Sequence, residues 1–173
     1  MVIWITGLSG SGKTTIGNIV SEIWKAREAN TVIVDGDVIR RILKMERDDV
    51  DYTMEGRRPI AERIHRMCAW LDVQSINVVC CTMSLFNDIQ LQNRSTFSNY
   101  FEVYLSVPME KIYKRDQKNL YAPALRGEKK NVIGVDLPFT VPAHFDLKID
   151  NSDDHPDFSA IAKNILDRAL NIL

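Results

Sequence analysis

Five short runs rich in β-branched and aromatic residues punctuate the chain: VIWIT (Val2 to Thr6), TVIVD (Thr31 to Asp35), INVVCCTM (Ile76 to Met83), YFEVYLSV (Tyr100 to Val107) and FDLKID (Phe145 to Asp150). Most are apolar almost without a break, as parallel strands covered on both faces should be. Between them the period of apolar positions becomes helical. Lys13 to about Glu28 is one such stretch and Asp157 to Leu170 another. A third, Arg57 to about Gln74, aligns Ile60, Ile64, Met67, Cys68 and Leu71 on one stripe. Shorter helices are predicted after Asp37 and Leu85, and Pro108 suits the first turn of another. This alternation predicts an α/β fold, a five-stranded parallel sheet with helices on both faces, whose ligands bind beyond the carboxyl ends of the strands. Residues 115 to about 140, rich in Lys, Arg, Gly and Pro, break the alternation; they are long for a plain connection and read as a mobile lid.

Composition narrows the picture. With 173 residues, 45% hydrophobic and 26% charged, the chain fits a single domain, residues 1–173, around one sizeable core. A net charge of −1 offers no broad basic face, so neither nucleic acid nor a membrane surface is an expected partner, and any cationic site must be local. The opening VIWITG carries no charged leader, cleavage signal or long apolar span, which predicts a cytoplasmic protein. Cys68, Cys80 and Cys81 form neither a CxxC pair nor an even framework and are expected as buried, reduced thiols. His65, His144 and His155 share no metal-ligand spacing and receive no role, His65 falling off the apolar stripe of its helix.

Candidate chemistry follows the strands. GLSGSGKTT (Gly7 to Thr15) fits G-x-x-x-x-G-K-S/T at Gly7, Gly12, Lys13 and Thr14, between a predicted strand and a predicted helix. Such a loop curls backbone N–H groups around phosphate, here from Ser9, Gly10, Ser11, Gly12 and Thr15, with partial positive charge added by the helix N-terminus. Lys13 would reach the β- and γ-phosphates of ATP, and the Thr14 hydroxyl would bind Mg²⁺. In VDGDVIRR, strand two ends at Asp35 and Asp37 opens a helix. One of these carboxylates could accept a hydroxyl proton during attack; the other, Asp35, could hold the metal through water. Arg40, one turn beyond Asp37, shares its face and could bind an anionic acceptor.

With these residues in place the chain resembles a known family. The ordered set GLSGSGKTT, DGDVIR, RDQKNLY (Arg115 to Tyr121), ALRGEKKNVIGVDLPF (Ala124 to Phe139) and a closing P…FDLKIDN (Pro142 to Asn151) is similar, nearly end to end, to the adenylylsulfate kinases. Those enzymes move the γ-phosphate of ATP to the 3'-hydroxyl of adenylylsulfate. The resemblance implies a P-loop kinase fold, small-molecule nucleotides as partners and, as is common in the family, a homodimer. It further implies Asp37 as catalytic base, Arg40 and Arg57 as ligands of the acceptor's anionic group, Met83 and Ser84 against the acceptor, and Lys118 on the closing lid. Arg115 and Arg126 join the expected ATP contacts. The serine matching Ser84 has been described as a phospho-acceptor in the family; in-line transfer to a hydroxyl needs no covalent intermediate, so Ser84 is read as a substrate contact.

Departures from that pattern bear on the acceptor. Ile60 stands where the family usually has an asparagine, with Pro59 read as belonging to the first helical turn. Tyr52 fits one aromatic wall for the acceptor's base, but Val132 occupies the place of the second ring. Asn119 replaces a glycine of the lid, and LFNDIQ follows the serine in place of an arginine-bearing segment. The leading enzyme reading is an adenylylsulfate kinase with a diverged acceptor pocket; the alternative is a 3'-kinase of another nucleotide conjugate such as a cytidine diphosphoramidate used in capsule decoration. A module that merely bound ATP would have no use for Arg40 or a base.

Overall fold

The computed structural model describes residues 1–171. Strands β1 (Val2–Thr6), β2 (Thr31–Asp35), β3 (Asn77–Thr82), β4 (Tyr100–Ser106) and β5 (Leu147–Asp150) form one sheet in the order β2-β3-β1-β4-β5. Every pairing is parallel. β1 lies at the centre and is buried at all its positions, which is why VIWIT is apolar up to its last residue. Its alternate side chains feed the two faces of the sheet. Ile3 and Ile5 pack with Ile16, Val20 and Trp24 of α1 (Lys13–Arg27) and with Ile165 and Leu166 of α7 (Phe158–Leu170). Val2 and Trp4 meet Ile39 of α2 (Gly36–Ile42), Ile60, Ile64 and Cys68 of α3 (Met54–Asp72), and Phe97 at the end of α4 (Asn87–Thr96). All three cysteines are free and buried, as expected.

β5 is the exception to the apolar rule. It pairs only with β4 and is half-exposed at alternate positions, so an edge strand can carry the polar FDLKID pattern. The connections leaving β1 and β3 reach opposite sides of the sheet, and the loops after β1, β2 and β3 enclose a crevice at its carboxyl edge.

The segment expected as a lid follows α5 (Met109–Arg115) and contains a further helix, α6 (Tyr121–Leu125), that periodicity did not indicate. Tyr121, Ala124, Val132 and Ile133 pack on Leu8, Val107 and Ile112, so the segment has an apolar anchor on the loop after β1. α3 begins three residues earlier than predicted, because the Thr53 hydroxyl caps it by accepting the Gly56 N–H at 3.0 Å. Pro59 therefore lies in the second turn of α3, not the first. Pro108 stands at the cap of α5, just before its first turn. His65 is buried beside the ring of Phe97, contrary to its expected place off the stripe, because its Nδ1 finds Asn93 Oδ1 at 2.7 Å.

Candidate active site

Gly12 caps α1 with φ +96°, a conformation glycine adopts without strain, and a Cβ there would come within 2.8 Å of the Asn151 amide nitrogen. No side chain caps this helix, which leaves its first N–H groups for an anion. Lys13 Nζ donates to the Leu8 carbonyl at 2.7 Å. Burial of its ammonium, and next the nearby charge of Lys118, lower its pKa to about 8.

Thr14 and Asp35 meet across the crevice: the Thr14 hydroxyl donates to Asp35 Oδ2 at 2.7 Å. The other oxygen of Asp35 caps α2, accepting the N–H groups of Asp37 at 2.9 Å and Val38 at 3.2 Å. One carboxylate thus orients both the hydroxyl of the phosphate loop and the helix that carries Asp37. Among the described residues, no three His, Cys, Asp or Glu side chains gather to hold a metal by themselves. One hydroxyl and one carboxylate oxygen fit Mg²⁺, which takes few protein ligands and completes its shell with phosphate and water.

Asp37 forms an ion pair with Lys118 of the lid segment. Burial opposes its charge, but the bond and charge of Lys118, with Lys13 and Arg40 behind it, outweigh burial and hold its pKa below the ordinary carboxylate value. Lys13, Asp37 and Lys118 line one cleft of about 570 Å³. So do Arg40, Tyr52, Arg57, Met83, Ser84 and Val132.

Arg40 and Arg57 are both buried, each 8% exposed, yet neither meets a carboxylate directly. Arg40 Nη1 donates to the carbonyls of Met45 (3.3 Å) and Asp51 (3.1 Å); Arg57 donates to those of Tyr52 (2.7 Å) and Asn131 (2.9 Å). Both guanidiniums lie against the Tyr52 ring, at 4.9 and 5.3 Å from its centroid. Desolvation, and then the charge of Arg40, bring the Arg57 pKa down to about 10, so it stays cationic at neutral pH. Two buried cations fixed by neutral carbonyls retain unneutralised charge, which suits an anionic ligand. Ser84 adopts φ +45°, and its Oγ accepts from Trp4 Nε1 (3.2 Å) and Gln90 Nε2 (3.0 Å). Its hydroxyl hydrogen is left for another acceptor.

Two expected contacts lie elsewhere. Arg126 is exposed and pairs with its neighbour Glu128 through two 2.7 Å bonds. Arg115 grips the loop after β5, donating to the carbonyls of Asn151 (2.9 Å) and Asp153 (2.7 Å). Neither lines the cleft, and a short local carboxylate in one case and paired carbonyls in the other explain why. Conversely, Lys129 and Lys130 of the lid segment both reach the cleft, as do Glu46 and Asp48. No spacing rule links those four to the phosphate loop. Asn119, in the position of the family's lid glycine, has φ +47°, a left-handed conformation that asparagine tolerates better than most residues.

A glycine loop between a strand and a helix, a lysine beneath it, a Thr–Asp pair and a carboxylate across the cleft define a P-loop phosphotransferase. Comparison with known proteins gives the particular family. The profile described as "Adenylylsulphate kinase" matches residues 1–150, and the chain belongs to that family. It is 41% identical to the cytidine diphosphoramidate kinase of Campylobacter jejuni over 151 residues, 87% of this chain and 86% of that one. It is 32% identical to the adenylyl-sulfate kinase of Marinobacter nauticus, covering 87% of this chain and 75% of the relative. Among solved structures, the Mycobacterium tuberculosis APS kinase in complex with AMPPNP and APS superposes with a TM-score of 0.81 at 26% identity, covering 96% and 95% of the two chains. The protein is therefore a kinase. Among the described residues, no helix is long and apolar enough to cross a membrane.

Proposed function

We propose that the chain transfers the γ-phosphoryl group of ATP to the ribose 3'-hydroxyl of a nucleotide conjugate, with cytidine diphosphoramidate as the favoured acceptor. The observation that carries the reaction is the pairing of Asp37 with Lys118 in the same cleft as Lys13 and the Thr14–Asp35 pair. Asp37 takes the hydroxyl proton as the new O–P bond forms and the bond to the β-phosphate oxygen breaks, releasing ADP. Lys13 and Lys118 balance the charge on the transferring group, while Arg40 and Arg57 hold the acceptor's anionic bridge. Mg²⁺, held through Thr14 and Asp35, would neutralise phosphate charge.

The acceptor reading draws on the 41% identity to a kinase of that name and on Val132, an apolar side chain only 2% exposed where a second aromatic wall is expected. A pyrimidine offers less ring to stack than a purine and loses less when one wall is aliphatic. Adenylylsulfate is the second reading, favoured by the family profile and by the 32% identity to an adenylyl-sulfate kinase. The test is ADP release with Mg·ATP and each acceptor in turn, followed by location of the new phosphate by phosphorus NMR. Turnover with the cytidine conjugate alone supports the proposal. Turnover with adenylylsulfate alone replaces it with the second reading, and none with either removes both.

A further inference from the structure

The phosphate loop runs from Gly7 to Thr15, and side chains hold the carbonyls of Leu8, Ser9 and Ser11 on its turn, with the Cys81 thiol at 3.4 Å from that of Lys13 where the helix begins. Leu8 O accepts from Lys13 at 2.7 Å, Ser9 O from the Tyr121 hydroxyl at 3.1 Å, and Ser11 O from Asn151 Nδ2 at 2.9 Å. Tyr121 and Asn151 are 112 and 140 residues away from their partners in the chain and are buried, 2% and 0% exposed. A peptide group is planar and trans, so the C=O of one residue and the N–H of the next point in opposite directions. Fixing Ser9 O therefore orients the Gly10 N–H, and fixing Ser11 O orients the Gly12 N–H. Among the described residues, neither N–H makes a hydrogen bond to the chain. Both glycines have positive φ, 79° and 96°, and glycine peptides rotate readily unless something outside the loop restrains them.

We infer that Tyr121 and Asn151 are positioning residues of the phosphate loop, which pull two carbonyls outward so that the Gly10 and Gly12 N–H groups face the nucleotide's phosphates. Each is itself anchored. The Tyr121 N–H donates to Asp116 Oδ1 at 2.9 Å, and burial raises the phenol's pKa, which keeps it a donor at any working pH. The Asn151 N–H donates to Ser106 O at 3.0 Å, and its carbonyl accepts from Arg115 at 2.9 Å. Arg115 and Asp116, adjacent at the start of the lid segment, thus brace the two donors, which assigns Arg115 a supporting place in the site without phosphate contact.

The inference rests on the reading of the cleft as an ATP site, and calorimetric titration with ADP and with adenosine separates the two. Failure of the unaltered protein to bind ADP would overturn the nucleotide reading and the inference with it. Given that binding, Tyr121→Phe removes one hydroxyl and keeps the ring; it should weaken ADP about three- to tenfold, the range for one lost hydrogen bond, and leave adenosine within about twofold. Asn151→Ala should act in the same direction, provided its melting curve stays cooperative. A Tyr121→Phe protein that binds ADP as tightly as the unaltered one, or that loses adenosine and ADP equally, overturns the positioning role.

Discussion

Asp37 is the candidate base, yet the charges around it keep it a weak one. Desolvation favours its neutral form, and Lys118, Lys13 and Arg40 together favour the carboxylate more strongly. That balance suits a transition state in which proton transfer lags bond breaking, so in the proposed reaction Asp37 orients the hydroxyl first and takes its proton late. Asp37→Asn should lower turnover by roughly 10²-fold or more while ADP affinity, measured by calorimetry, stays intact. Lys13 is the opposite case, an ammonium with its pKa lowered to about 8 before any phosphate arrives. Phosphate favours the charged form, so binding takes up a proton once pH exceeds that value. Nucleotide affinity should therefore fall as pH rises above 8, by up to about tenfold per unit, and Lys13→Met should remove the dependence. An ADP titration series between pH 7 and 9.5 checks both expectations.

At the scale of elements, α3 shows how one residue takes its meaning from packing. Periodicity puts Ile60 on the apolar stripe, and the family pattern marks it as a lost polar contact; in the fold it is 3% exposed and belongs to the apolar layer that includes Trp4, Ile64 and Cys80, while also lining the cleft. Ile60→Asn would place an amide in that layer. Unless the acceptor bonds to it, the change should destabilise the protein by about 1–3 kcal/mol, read as a lower denaturation midpoint that added acceptor partly restores. The lid segment is similar. Its apolar anchor, Tyr121, Val132 and Ile133 on Leu8 and Ile112, is scattered among Lys, Arg and Gly residues, so no period announces it.

At the scale of the whole molecule, a buried polar chain joins α3, α4 and β4. His65 meets Asn93, Asn93 donates to the Tyr100 hydroxyl, and that hydroxyl donates to Glu102 Oε2 at 3.0 Å. Arg94 approaches the same carboxylate at 3.6 Å and pairs with Asp146. Glu102 is fully buried, and desolvation, only partly offset by Tyr100 and Arg94, raises its pKa to about 7. An acid with a raised folded-state pKa contributes stability at low pH that is lost as pH climbs from its unfolded value through 7, at up to about 1.4 kcal/mol per unit. Glu102→Gln should remove that slope, so the stability gap between variant and parent, from urea titrations at pH 5 and 8, should move in favour of Gln at the higher pH. The sheet, its helices other than α6 and the phosphate loop are legible in the sequence, because apolar period and the glycine-lysine spacing are local properties whose physics acts within a few residues. Tertiary structure alone decided that Lys118 meets Asp37 across 81 residues, that Arg115 and Arg126 leave the cleft while Lys129 and Lys130 enter it, and that His65 and Glu102 are buried together. Those outcomes depend on which distant groups share a low-dielectric space, and charge and hydrogen bonding there follow distance in the fold, not distance along the chain.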